Sequence, residues 1–230
     1  IGISLLCGSI YFLVNQRHTL ATLFLAFSFL GKLYPVILFP LYLQAYYEKT
    51  SQEGKNTGWA LAKISFLFLG VIVVGFLPFM GIGLQLFDGL KAFTLYWQSN
   101  DSIFAMLVFI YKNILGGFAD QIVLSNPLPI FLSKVTVAII LVSVLLGLLR
   151  RKTSLLQQPL EFIRGFFYIM ALVFLLSPVQ NPWYLCWVVP FLCLFPHQAW
   201  IVLTGLVGFY YLDFYFDYQE IQAFSLWIPW

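Results

Sequence analysis

A lone lysine interrupts one of the most apolar stretches of the chain. Lys32 lies in Gly31-Lys32-Leu33-Tyr34-Pro35, and the nearest charged residues on either side are Arg17 and Glu48. A cation in such surroundings costs at least about 2.5 to 3.5 kcal/mol on insertion scales and normally faces a cavity or an anion. No acid lies within helical reach, so the expected anion comes from another segment or from a ligand such as a lipid phosphate. Lys32 and Tyr34 are the candidate phosphate-binding pair. Snorkelling of the lysine stem toward water is the competing explanation. A second group is Trp97 with Asn100-Asp101. An indole face suits the apolar side of a sugar ring, and an amide and a carboxylate suit its hydroxyls. Helix capping by Asn100 or Asp101 and an interfacial position for Trp97 explain the same residues structurally. The third group is Ser177-Pro178-Val179-Gln180-Asn181-Pro182-Trp183-Tyr184, the densest polar and aromatic run in the chain. Gln180, Asn181, Trp183 and Tyr184 are candidate sugar or acceptor contacts. The structural alternative has Pro178 ending one helix, Asn181 capping the next, Pro182 in its first position and the two aromatics in an interfacial belt.

Other chemistry is disfavoured. His18 and His197 stand at helix ends without paired ligands, and no Cys or His metal spacing, glycine-rich phosphate loop or serine nucleophile elbow is present. No motif requires a cofactor, and divalent-metal dependence stays open.

The elements that must position these residues are set by composition. Of 230 residues, 61% are hydrophobic and only 9% charged, and the mean hydropathy is +0.90. A soluble domain carries roughly 25% charged residues. The sequence is read as a single transmembrane domain over residues 1–230, an all-α polytopic helical bundle. That excludes a secreted disulfide scaffold, a cytosolic enzyme and a nucleic-acid module, since the formal +3 sits where membrane topology places it. Partners are expected to be membrane lipids or lipid-borne. Cys7, Cys186 and Cys193 lie in apolar runs and are expected to be buried. The apolar start at Ile1 lacks a basic flank and a cleavage site, so it is read as a spanning helix rather than a signal peptide. The chain is expected to be an internal stretch of a longer protein.

Candidate spans are Gly58–Ile82, Pro127–Leu149, Leu160–Leu176, Pro182–Phe195 and Gln198–Leu212. Arg150-Arg151-Lys152 and Arg164 place their loop in the cytoplasm by the positive-inside rule. Alternation then puts Glu48–Thr57 inside and residues 83–126 outside. Eight of the twelve basic residues fall on the inner side under this scheme. Thr19–Tyr47 fits no simple span: its 29 residues would reach about 43 Å as helix, and Pro35 breaks it. The expected form is a V of two short helices that enter and leave on the cytoplasmic side, with a vertex past the bilayer midplane and Tyr34 driven out of helical geometry. One long kinked helix is the competing form. The external stretch 83–126 is read as two interfacial helices, the second over Ser102–Leu115.

The runs Leu30-Gly31-Lys32-Leu33-Tyr34-Pro35, Phe93-Thr94-Leu95-Tyr96-Trp97-Gln98-Ser99-Asn100-Asp101-Ser102-Ile103-Phe104 and Ser177 to Tyr184 together resemble the GT-C glycosyltransferases. The likeness is nearest to the polyprenyl-phosphate-mannose-dependent mannosyltransferases. The resemblance implies transfer, with inversion, of a hexose from a polyprenyl-phosphate-linked sugar to a lipid, glycan or protein acceptor at the external face. It further implies a catalytic acid in a first external loop that no part of this chain matches, so Asp101 is not assigned that role. A bacterial plasma membrane is the expected location, or the endoplasmic reticulum if the source is eukaryotic. A secondary transporter of an anionic or lipid-linked substrate is the rival reading, because broken helices there also place charge at mid-membrane. Only one break is visible rather than a pair in matching halves, which favours the enzyme.

Overall fold

The computed structural model describes residues 1–91, 102–116, 128–212 and 215. Among these the chain is all-α. In chain order the helices are α1 (Gly2–Val14), α2 (His18–Gly31), α3 (Phe39–Gln52), α4 (Thr57–Phe76), α5 (Ser102–Gly116), α6 (Leu128–Arg150), α7 (Pro159–Leu176), α8 (Val189–Leu192) and α9 (Gln198–Leu206), with 3-10 turns between some of them. Among the described residues three helical stretches are long and apolar enough to cross a membrane: Thr57–Gly83, Leu128–Arg150 and Pro159–Leu176. The chain divides into two compact units, residues 1–96 with 138–169, and residues 97–137 with 170–230.

The first unit is built on α1, α2 and α3. Between α2 and α3 the chain reverses. Lys32 takes an extended backbone (φ −158°, ψ 130°) that ends α2, and a 3-10 turn over Tyr34–Leu38 starts the return. The break thus falls at Lys32, within the expected interruption over residues 31–35; Tyr34, expected to be driven out of helical geometry, instead begins the 3-10 turn, and Pro35 takes one of its first positions, where a missing N–H leaves no bond unmade. That the two arms come back to one end is fixed by two contacts. Lys49 Nζ, in the last turn of α3, donates to the Gln16 carbonyl at 2.9 Å, and the rings of His18 and Tyr46 lie 4.9 Å apart. A single kinked helix would separate these pairs by its whole length.

Small and hydroxyl residues bring the helices close, as is usual where apolar area alone cannot drive association. Ser9, Ala21, Ala26, Ser28 and Ala45 are all buried. Ser9 Oγ donates to the Ala21 carbonyl at 2.6 Å and meets the Tyr42 hydroxyl at 2.7 Å. A serine hydroxyl has one proton, so Tyr42 is the donor in the second bond. This triad ties α1, α2 and α3 at mid-height, and Ser28 Oγ bonds the Gly2 carbonyl at 2.7 Å nearer the reversal. α4 packs on α2 through a missing side chain: a Cβ on Gly75 would come within 2.6 Å of Leu30 Cδ1. Phe68 of α4 stacks on Phe39 with ring centroids 4.3 Å apart.

The loop before α7 joins the same end. Glu48 accepts from the Leu155 N–H at 3.0 Å and from the Ser154 hydroxyl. Arg17, Lys49 and the Arg150-Arg151-Lys152 loop thus belong to one end of the unit, the grouping that charge bias alone had suggested.

In the second unit, Phe104 and Val108 form the buried stripe of α5, and the Tyr111 hydroxyl pairs with Thr136 Oγ1 at 2.6 Å, linking α5 to the start of α6. The helix over Ser102–Gly116 matches the expected second helix of the 83–126 stretch in extent. Two expectations are corrected. Pro182–Phe195 is not one helix but a 3-10 turn over Pro182–Trp187 followed by the four-residue α8, because Pro190 offers no N–H to continue a ladder from the turn before it. Cys7, Cys186 and Cys193 are exposed rather than buried, and none is in a disulfide. Apolar composition does not mean protein contact in such a chain: only 11% and 6% of the apolar windows of α4 and α6 are covered by protein, against 56% in α7.

Candidate functional site

The reversal between α2 and α3 sets the first group of candidates. At the C-cap of α2 the Lys32 N–H still bonds the Ser28 carbonyl at 2.9 Å, so the helix is closed before the chain turns out. The lysine is exposed. Its aliphatic stem lies against Gly2 at the start of α1. Lys32 is thus a presented cation and not an enclosed one. Tyr34, two residues on, is half-buried with its hydroxyl buried. The two residues share the reversal.

The second group is the turn after α7. Gln180 Nε2 donates to the Leu175 carbonyl at 2.7 Å and so answers one of the orphan carbonyls that end a helix. The Ser177 hydroxyl donates to the Val179 carbonyl at 2.7 Å and accepts from its N–H at 3.2 Å. These bonds hold the turn rigid. Asn181 then enters the 3-10 turn with φ −66° and ψ 147°, the usual cap geometry, yet its side chain makes no capping bond. The Tyr184 N–H bonds the Asn181 backbone carbonyl instead, at 2.9 Å.

No family model, curated protein or solved structure matches this chain.

Asn181 is 7% exposed, so a buried amide stands at the turn without the capping role that would explain it. Trp183 is half exposed and meets Tyr184 edge-on at 6.2 Å, while Tyr184 stacks on Trp187 at 4.6 Å. The result is an aromatic step with a half-exposed indole two residues from a buried amide. An open indole over a ring's apolar face and an amide at its hydroxyls is how a sugar is gripped. Gln180, by contrast, is committed to structure. Trp97, Asn100 and Asp101 lie outside the described residues.

Proposed function

We propose that the protein is a membrane glycosyltransferase that takes a hexose, mannose by the motif resemblance, from a polyprenyl-phosphate donor and passes it to a lipid, glycan or protein acceptor at the external face. The observation that carries this reading is the presented ammonium of Lys32 at the reversal of a helical hairpin whose other end gathers the basic loops. By the positive-inside rule the basic end is cytoplasmic, which puts Lys32 toward the external side. There it faces the level at which a lipid-borne phosphate enters from the outer leaflet.

In transfer, the bond between the anomeric carbon and the phosphate oxygen breaks and negative charge grows on the departing lipid phosphate. A fixed cation stabilises that growing charge more than it stabilises the intact diester, and the gain is larger where water is scarce. Lys32 is assigned to this role and Tyr34 to the same phosphate. Asn181, Trp183 and Tyr184 are assigned to sugar or acceptor hydroxyls and ring face, with Trp97, Asn100 and Asp101 as further contacts. The base that takes the acceptor proton is left to an acid not assigned in this chain.

The test uses the intact protein in nanodiscs with a labelled polyprenyl-phosphate hexose and a lipid acceptor. Lys32→Met keeps the stem, loses the charge, and is expected to lower kcat/KM by about 100-fold or more, the scale of losing one oxyanion-type donor, with the melting temperature unchanged. Asn181→Asp is expected to lose about 5- to 150-fold, since a buried polar partner is mismatched. Wild-type turnover in Lys32→Met removes the phosphate role. Flux of the lipid-linked sugar across the bilayer without transfer would replace the enzyme by a transporter.

A further inference from the structure

The opposite end of α2 carries a second set of groups that the proposed transfer does not use. A cavity of about 430 Å³ opens there, lined by the turn between α1 and α2, the first turn of α2, the end of α3, the loop that follows it and Ala60 of α4. Arg17, Lys49 and Lys55 line it against a single acid, Glu53, a balance of +2. Glu53 is spoken for by Lys55, at 2.5 Å. Arg17 has no ion-pair partner among the described residues. Lys49 spends one proton on the Gln16 carbonyl and keeps two more.

The backbone adds donors. The first N–H engaged inside α2 is that of Ala21, on the Arg17 carbonyl at 2.9 Å. No side chain caps α2, and no acid stands in its first turn. The amides of His18, Thr19 and Leu20 therefore face the site with the positive end of the helix dipole behind them. His18 supplies an independent sign that something is missing. It lines the cavity and is 5% exposed; Nε2 donates to Gln16 Oε1 at 3.1 Å, so Nδ1 of the neutral ring is an acceptor, buried and without a hydrogen-bond partner, of the kind that the P–OH of a singly ionised phosphate monoester serves. Thr50 is not a donor to spare, because its hydroxyl already serves the Tyr46 carbonyl at 2.9 Å.

We propose that this cavity binds a phosphate group, in the first instance the headgroup phosphate of a membrane phospholipid. A guanidinium, two ammonium groups and a row of helix N-terminal amides exceed what the two oxygens of a carboxylate use, and suit a tetrahedral anion. The volume holds a headgroup rather than a bare ion. Ala60 lies at the start of α4, a helix long enough to span, and Trp59 beside it is 69% exposed. An exposed tryptophan at the start of a span marks the interfacial layer where lipid phosphates lie. This site stands independently of the glycosyltransferase reading, at the far end of a 14-residue helix from Lys32.

The test is equilibrium binding to the detergent-purified protein at fixed salt, with three probes: dihexanoyl phosphatidic acid, dihexanoyl phosphatidylcholine and inorganic phosphate. Saturable binding of phosphatidic acid is expected, weakened about fivefold in Arg17→Gln, the scale for one basic residue at a membrane surface, and unchanged in Arg151→Gln, which lies in the basic loop but not in the cavity. Thr19→Asp separates folding from binding: a carboxylate in the first turn stabilises the helix and occupies the anion position, so melting temperature holds or rises while binding is lost. Inorganic phosphate that competes at matched affinity assigns the site to soluble phosphate, and phosphatidic acid that resists such competition assigns it to lipid. Binding that Arg151→Gln weakens as much as Arg17→Gln, or that survives Thr19→Asp, overturns the site in favour of diffuse surface charge.

Discussion

At one end of α2, Lys32 is set off by about 15 uncharged positions on each side, and its backbone leaves the helix at that residue. At the other end Arg17, Lys49 and Lys55 come from three separate turns to line one cavity. The helix between them is 14 residues long, about 21 Å. Both ends hold cations, but the first is a single charge presented by a chain reversal and the second is a shared field with helix amides in it. The two ends would therefore treat an anion differently. A lone ammonium grips a charge with little directional demand, whereas a guanidinium with a row of amides reads a tetrahedral shape.

The largest effect that can break this comparison is all-or-none. In a background lacking the native cysteines, Arg17→Cys and Gln52→Cys are expected to label from the same face of the membrane, and Lys32→Cys from the opposite face. Labelling of the first two from opposite faces would mean a single kinked span, and the two ends would lose their meaning.

A pH experiment sharpens the chemistry of the loop end. Burial, with the nearby Lys49 charge adding to it and Glu53 opposing it, pushes the His18 imidazole down to about 4 from its ordinary 6.5. Tyr46 lies tilted against its ring, and Arg17 and Lys55 line the same cavity. Between those two values the unfolded chain binds a proton that the folded one refuses, so stability rises with pH across the window. The melting temperature in detergent is expected to be highest above pH 6.5, to fall as pH drops toward about 4, and to show a flatter fall in His18→Gln. A wild-type profile that His18→Gln does not alter would remove His18 from the account.

The smallest effect tests what holds the two ends in register. Tyr42→Phe removes the hydroxyl that donates to Ser9 at 2.7 Å while leaving the ring stacked on Phe166 at 5.6 Å. The expected cost is about 0.6 kcal/mol, and at most about 1.7, the range for such bonds within membranes. Thermal or denaturant unfolding reads it. No change would mean that packing of the small residues alone sets the hairpin.

The hairpin was legible because a 29-residue apolar run is too long for one crossing and too short for two, and a proline lay in its middle. Its break falls inside the expected run, residues 31–35, but Tyr34 starts a 3-10 turn instead of leaving helical geometry, since the rule for the residue before proline is a local bias that the start of a turn overrides. Asn181 was read as either a cap or a ligand, and only its geometry separates the two. Its backbone has the cap conformation while its side chain declines the bond. Gln180 went the other way, to a helix-ending carbonyl five residues back, which its type and position alone do not reveal.

The sequence by itself determined the solvent. Composition and run length demand helices, because backbone groups in hydrocarbon must be satisfied within the segment, and they place Lys32 where a charge needs a reason. Tertiary structure alone decided which charges work together. Lys49 and Lys55 share one segment, but Arg17 lies 32 residues before the first of them, and no local spacing joins it to the pair. They meet because α3 folds back along α1 and α2, locked by the Ser9 and Tyr42 hydroxyls at mid-height and by the Lys49 ammonium on the Gln16 carbonyl at the end. A side chain's chemistry is fixed by its type, but its neighbours are fixed by the path the chain takes between them.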